Sequence, residues 1–140
     1  MRFDLPDDKK LTFEMTMPIR WGDMDAMGHV NNTIYFRYME TVRLEWLFKI
    51  GGAMPDANGD GPVIVNAFAN FHRQLVFPGD VRAKHYVANP GRSSFETYLT
   101  LERADEPGTI YSSGGAKTVW MNYREGRSVP LPDDVRALIA

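Results

Sequence analysis

The chain has 140 residues, 44% apolar and 24% charged, the size and balance of one globular domain able to bury a core. Its 16 basic and 18 acidic groups leave a net charge of −2, which excludes a general electrostatic pull toward nucleic acid or an anionic membrane. The absence of cysteine excludes disulfides, thiolate zinc sites and a thiol nucleophile.

The opening MRFDLPDDKK has acids near its start and no apolar centre, so it reads as a polar arm over residues 1–10 and not as a secretory signal. No apolar run approaches the roughly 18 residues of a membrane span. These features predict a soluble, cytoplasmic protein with no nucleic-acid or membrane partner. Leu11–Arg20 alternates, with Leu11, Phe13, Met15 and Met17 on one face, and predicts a half-buried strand ending near Pro18. A loop follows through Gly28. Between Asn32 and Ile50 the period becomes helical: Tyr35, Tyr38, Met39, Val42, Trp46 and Phe48 or Lys49 form an apolar stripe, widened by Leu44 and Leu47. Asn31 or Asn32 caps its start and Gly51-Gly52 stops it.

Residues 53–61 are turn-rich. Four strands then read as Pro62–Val76, Asp80–Asn89, Ser94–Arg103 and Thr109–Tyr123, with Val63, Val65, Ala67, Ala69 and Phe71 sharing a face of the first. Pro78-Gly79, Pro90-Gly91 and Glu106-Pro107-Gly108 supply the turns. The tail from Leu131 to Ala140 holds one or two helical turns. The expected class is α+β: a five-stranded antiparallel sheet, its last four strands in a meander, wrapped around one long helix. Such a sheet leaves open edges, and pairing between copies would cover one.

The segment from Arg20 to Arg43 carries D-x-D-x-x-G-H-V-N-N-x-x-Y-x-x-Y-x-E-x-x-R without a gap. It resembles the signature of the 4-hydroxybenzoyl-CoA thioesterase family of hotdog proteins. Weaker agreement at Pro78-Gly79-Asp80, Gly91-Arg92-Ser93-Ser94 and the last strand extends the resemblance over roughly residues 11–132. It implies a single hotdog domain over 11–140, an acyl-CoA substrate, and hydrolysis to the free acid and coenzyme A. The family's acyl pocket lies at a subunit interface, which implies a homodimer or homotetramer.

By the same resemblance Asp25 is the catalytic carboxylate, acting as nucleophile or as general base. The oxyanion donor is the backbone N–H of Asn32, where orphan amides and the helix dipole converge. Gly28 permits close backbone approach, Asn31 and Asp23 shape the loop, and His29 is a secondary acid–base candidate because histidine titrates near neutrality. Arg92, Ser93 and Ser94 match the family's turn that contacts the nucleotide or pantetheine. Tyr35 and Phe68, with Met39 and Phe71, are candidate pocket walls. His72 and His85 fall in strand patterns and read as structural. A second branch of hotdog thioesterases carries its carboxylate on the helix itself, but Thr33–Met39 contains no acid here. Glu40 is the first, and with Arg37 and Arg43 beside it as ion-pair partners it reads as structural.

Asp23, Asp25 and His29 offer too few ligands for an oxygen-rich metal site, so neither metal nor cofactor is expected, coenzyme A being part of the substrate. Two rivals share the fold: a non-catalytic acyl-CoA-binding module and an acyl carrier protein thioesterase. A hotdog dehydratase would need a histidine–acid pair in a different local pattern.

Overall fold

A computed structural model describes all 140 residues. The elements are β1 (Lys10–Pro18), α1 (Asn32–Lys49), β2 (Asp60–Phe71), β3 (Asp80–Ala88), β4 (Ser94–Arg103), β5 (Ile110–Asn122), a two-residue β6 (Arg127–Ser128) and α2 (Asp133–Ile139). The sheet is antiparallel in the order β1-β3-β4-β5-β2, with β6 added beside β5. This is the α+β hotdog arrangement, with a sixth short strand beyond the expected five. The expected four-strand meander is realised only by β3, β4 and β5. β2 crosses to the far edge instead, where it pairs with β5 along its whole length.

Two bulges correct the expected faces. In β1 the register shifts between Leu11 and Phe13. Thr12 turns inward, its hydroxyl 2.8 Å from His85 Nδ1. Leu11 is thereby thrown to the outer face, where it is exposed, while Phe13, Met15 and Met17 keep the inner one. In β2 the shift falls between Ile64 and Asn66. Because cross-strand partners share a face, Ala67, Ala69 and Phe71 lie on the helix side with Ala116, Gly114 and Ser112, whereas Val63 joins the opposite face. The strand stops at Phe71, five residues short of the expected Val76. Beyond it the His72 and Arg73 amides both donate to the Tyr111 carbonyl, and β5 offers no further partner.

The concave face holds α1. Tyr35, Tyr38, Met39, Val42, Trp46 and Leu47 are buried, but Phe36, Leu44 and Phe48 are exposed, so the helix is covered on one side only. One core cluster gathers Tyr38, Met39, Val42, Leu75, Leu99 and Leu101. A second packs Trp46, Phe95 and Trp120 beneath Leu131, Val135 and Ile139 of the C-terminal segment. The helix approaches the sheet closely at Gly114, where an added Cβ would meet Phe68 O at 2.5 Å and Met39 Sδ at 2.6 Å. On the outer face Gly115 makes room for Tyr98 and Phe68, whose ring packs on Phe3 with centroids 5.3 Å apart. The arm is held there by the Asn70 side chain, which donates to Phe3 O and accepts from Phe3 N.

Gly114→Ala should therefore overpack the helix–sheet contact and cost about 1–3 kcal/mol. Urea unfolding checks this; a wild-type midpoint in the variant would contradict the close packing described.

Candidate active site

The segment before α1 is an extended chain folded back on itself. A bridge joins Met24 to Val30, Asp25 N–H donates to His29 O at 2.9 Å, and Gly28 N–H donates to Asp25 O at 3.0 Å. Gly28 adopts φ +82°, a conformation open to glycine at no cost, and a side chain there would meet no protein atom. Its role in the fold is therefore to close this turn.

Asp23 anchors the segment. It is 2% exposed and accepts from Arg20 N–H at 2.9 Å, Arg20 Nη2 at 3.1 Å and the Tyr38 hydroxyl at 2.7 Å. Burial alone would raise its pKa, but these donors outweigh burial and hold it below the usual carboxylate value. Burial, joined by the same contact, pushes the Tyr38 hydroxyl pKa up.

Two residues on, Asp25 has a different setting. Its Oδ1 accepts from Met27 N–H at 2.9 Å and its Oδ2 from Asn31 Nδ2 at 3.1 Å. Asn31 also caps α1, accepting from Thr33 N–H at 3.0 Å and from its hydroxyl at 2.6 Å. One amide side chain thus fixes both the carboxylate and the helix N-terminus. Thr33 and Ile34 amides are satisfied by Asn31. The Asn32 N–H has no acceptor in the chain, and no acidic side chain occupies the first turn.

Asp25 and Asn32 share a cavity of about 850 Å³ with Met27, His29, Val30, Tyr35, Phe71, His72, Arg73, Gln74 and Tyr111. Of the residues expected at the site, Asp25, His29, Asn32 and Tyr35 meet here, and Asn31 stands behind Asp25. Tyr35 also ties two segments together, since its hydroxyl accepts from Leu75 N–H at 2.9 Å and donates to Arg73 O. Val30 N–H donates to Leu75 O, so the segment after β2 is stitched to the segment before α1. Phe71 faces Tyr35 edge-on, with ring centroids 5.1 Å apart.

Phe68 does not reach this cavity. It lies on the outer sheet face beside Tyr98 and Lys117, because it alternates with Ala67 and Ala69. Arg92, Ser93 and Ser94 stand at the other end of β4, where Ser94 pairs with Val119 while Tyr111 lies at the opposite end of β5. In one chain they are remote from Asp25. Glu40 is on the surface, bonded to Arg37 at 2.7 Å, and Arg43 is buried instead of pairing with it.

Sequence reasoning missed Arg73, Gln74 and Tyr111. The expected extension of β2 to Val76 hid the first two in a strand. His72, read as structural, lines the wall while its Nε2 lies 2.9 Å from Ser113 Oγ. Nowhere do three or more His, Asp or Glu side chains converge on a point that would hold a metal ion. No helix is long and apolar enough to cross a membrane.

The arrangement offers a carboxylate held by two donors and an unpaired amide at the positive end of a helix dipole, both facing one concavity. Such a pair suits acyl chemistry, in which a carbonyl carbon is attacked and its oxygen gains charge.

The profile of the thioesterase-like superfamily matches residues 19–139. Among solved structures, a candidate thioesterase from Pseudomonas aeruginosa is 37% identical, with a TM-score of 0.88 over 94% of this chain and 100% of that one. A candidate acyl-CoA thioesterase from Xanthomonas campestris is 34% identical, with a TM-score of 0.73 over 81% and 96% of the two chains. A gentisyl-coenzyme A thioesterase is 25% identical, with a TM-score of 0.78 over 91% and 100%. No curated protein matches the chain.

Because the folded pKa of Asp23 is depressed, its stabilising contribution is present above the unfolded value of about 3.9 and disappears as pH falls through the folded one. Tyr38→Phe should remove about 1–3 kcal/mol at neutral pH. Asp23→Asn should flatten the acid limb of stability below about pH 4. Urea titrations over this range test both; an unchanged acid limb in Asp23→Asn would contradict the assignment.

Proposed function

The chain belongs to the thioesterase-like superfamily and is a thioester hydrolase; we propose that its substrate is an acyl-CoA and that Asp25 carries the reaction, as in the 4-hydroxybenzoyl-CoA thioesterase branch. The observation that carries this reading is the Asn31 side chain, which bonds the Asp25 carboxylate and caps the helix whose free Asn32 N–H shares the cavity. The names of the Xanthomonas and gentisyl-coenzyme A relatives support a coenzyme A thioester as the donor.

In this reading the thioester carbonyl oxygen points at Asn32 N–H, which stabilises the charge that develops when the carbon becomes tetrahedral. Asp25 attacks that carbon, or takes the proton of the water that does. The carbon–sulfur bond then breaks and the thiolate leaves and is protonated. The water route gives the carboxylic acid directly, and the nucleophilic route gives an Asp25 anhydride that a water then opens. Asn31 is a positioning residue: it holds the carboxylate toward the carbonyl. The His29 ring makes no hydrogen bond within the chain and lines the same cavity, which supports a secondary role in passing a proton to the departing sulfur.

The reading includes a dimer. β2 is a twelve-residue edge strand exposing Ile64, Val65 and Phe71, an edge that soluble proteins cover. Antiparallel pairing of two copies of β2 would set the partner's turn with Arg92, Ser93 and Ser94 three strand spacings, about 15 Å, from the Phe71 end of this chain's β2. This pairing would bring the partner's copy of those residues toward the Phe71 wall of the cavity, which supports a role for them in holding the coenzyme across the interface.

Asp25→Asn should lower turnover of the best acyl-CoA by at least about a hundredfold with the fold intact. A panel of short, long and aromatic acyl-CoAs, followed by thiol release, checks this. Wild-type turnover in Asp25→Asn would end the mechanism, and binding without turnover by the wild type would make the chain a binding module. Single turnover in ¹⁸O-water tests the nucleophilic route, since an anhydride opened at its aspartyl carbonyl leaves ¹⁸O in the Asp25 carboxylate, whereas general-base attack leaves none there.

A further inference from the structure

Resting on that assignment of the cavity, we propose that Arg73 selects acyl groups bearing a carboxylate at their far end, so that the preferred substrates are half-thioesters of dicarboxylic acids. Arg73 lies just past the end of β2, in the wall that includes Phe71, His72 and Gln74. Its backbone is fixed on both sides: the N–H donates to Tyr111 O at 3.0 Å and the carbonyl accepts from Tyr35 Oη at 3.4 Å. Its guanidinium, by contrast, has no hydrogen-bond or ion-pair partner in the chain. Arg2, Arg20, Arg37, Arg82, Arg103 and Arg127 hold carboxylates and Arg136 holds two backbone carbonyls; Arg43, Arg92 and Arg124 also lack a side-chain partner, but none of them lines this cavity.

The cavity offers that cation no internal counterion. Asp25 is the one acid among the 11 lining residues, it makes no ion pair with Arg73, and it already accepts from Met27 and Asn31. The Tyr111 hydroxyl is bonded to Glu106 and the Tyr35 hydroxyl to the backbone. Arg73 is exposed at the rim of the cavity, and its planar guanidinium, free of partners, matches the two oxygens of a carboxylate, a match that a neutral acyl tail lacks.

The anion belongs to the acyl group and not to the coenzyme because of scale. Asp25 and Arg73 share a cavity of about 850 Å³, the size of one small-ligand site. The thioester carbon sits at Asp25, and the diphosphate lies a whole pantetheine arm away, outside this volume. The acyl group is therefore the part of the substrate that shares this cavity with both residues.

The test compares kcat/KM for acyl-CoAs of equal length with and without a terminal carboxylate, together with the matching N-acetylcysteamine thioesters, which lack phosphate. Wild type should favour the carboxylated member about 10- to 100-fold in both series, the value of a charged hydrogen-bonded pair. Arg73→Ala should lower kcat/KM for the carboxylated member relative to its neutral twin by that same factor, and Arg73→Lys should keep part of the preference. No preference in wild type overturns the proposal. So does a loss in Arg73→Ala that is equal for all CoA thioesters and absent from the N-acetylcysteamine series, which would assign the guanidinium to phosphate. If wild type cleaves thioesters through Asp25 without this preference, only the present inference fails. If it cleaves none, the hydrolytic reading fails, and calorimetric titration of the same acyl-CoAs into wild type and Arg73→Ala still decides whether Arg73 reads the carboxylate.

Discussion

The hydrogen bond from the Tyr38 hydroxyl to the buried Asp23 carboxylate is the contact on which the site depends. A carboxylate 2% exposed is tolerable only when donors replace the water it has lost. Arg20 and Tyr38 supply them, one from the start of the segment and one from the second turn of α1. The segment is thereby fastened at its beginning to the helix that follows it. Its end is fastened by Asn31, whose N–H donates to Asp23 O and whose side chain caps that helix. With both ends tied, the position of Asp25 relative to the Asn32 amide follows from geometry.

The sheet sets the other wall by the same kind of constraint. Glycines at positions 114 and 115 let Met39 and Phe68 O crowd one face of β5 and Tyr98 the other, so α1 sits close and at a defined depth. Tyr35 extends from that helix to the Leu75 amide and the Arg73 carbonyl. The segment after β2 is held twice over, by this hydroxyl and by Val30 N–H on Leu75 O. Leu75 is fully buried as a result, and the neighbouring Arg73 and Gln74 are left to face the cavity. One helix thus positions the carboxylate, the free amide and the opposing cation.

Much of this was legible in sequence, for reasons that differ by element. The α1 range was readable because a cap, a 3.6-residue period and a double glycine agree. That Asp25, His29, Asn31, Asn32 and Tyr35 lie together was readable because they fall in one short stretch of chain, where a spacing in sequence is a spacing in space. Phe68 failed on plain alternation, since it lies opposite Ala67, Ala69 and Phe71 on one regular stretch of strand; the bulge near Val65, which leaves no mark in hydrophobic pattern, moved Val63 off their face. Leu11 failed through a bulge of the same kind at Thr12. The position of β2 at the far edge, and with it the exposure of Phe71, depends on strand order, which local periodicity does not encode. Arg73 was hidden because its segment still reads as strand after the sheet has run out of partners.

Unsatisfied polar groups are what remain once the fold has used its donors, but they differ in meaning. The interior contains two unpaired side-chain atoms, His85 Nε2 and Thr118 Oγ1. His85 is fully buried and stacked on Trp46 at 4.7 Å, and burial together with the nearby Arg43 drives its pKa down to about 3, so it remains a neutral ring in the core. It stands apart from the cavity that holds Asp25, and its missing bond is a local cost of filling the core with a ring. Asn32 N–H and the Arg73 guanidinium are unpaired in a different place: on the wall of a cavity, at groups whose backbones are fixed by other bonds. There an empty hydrogen-bond position costs little while water fills it and becomes selective once a substrate displaces that water. Rigid support combined with an open valence separates the groups that recognise a substrate from those that merely fill a core.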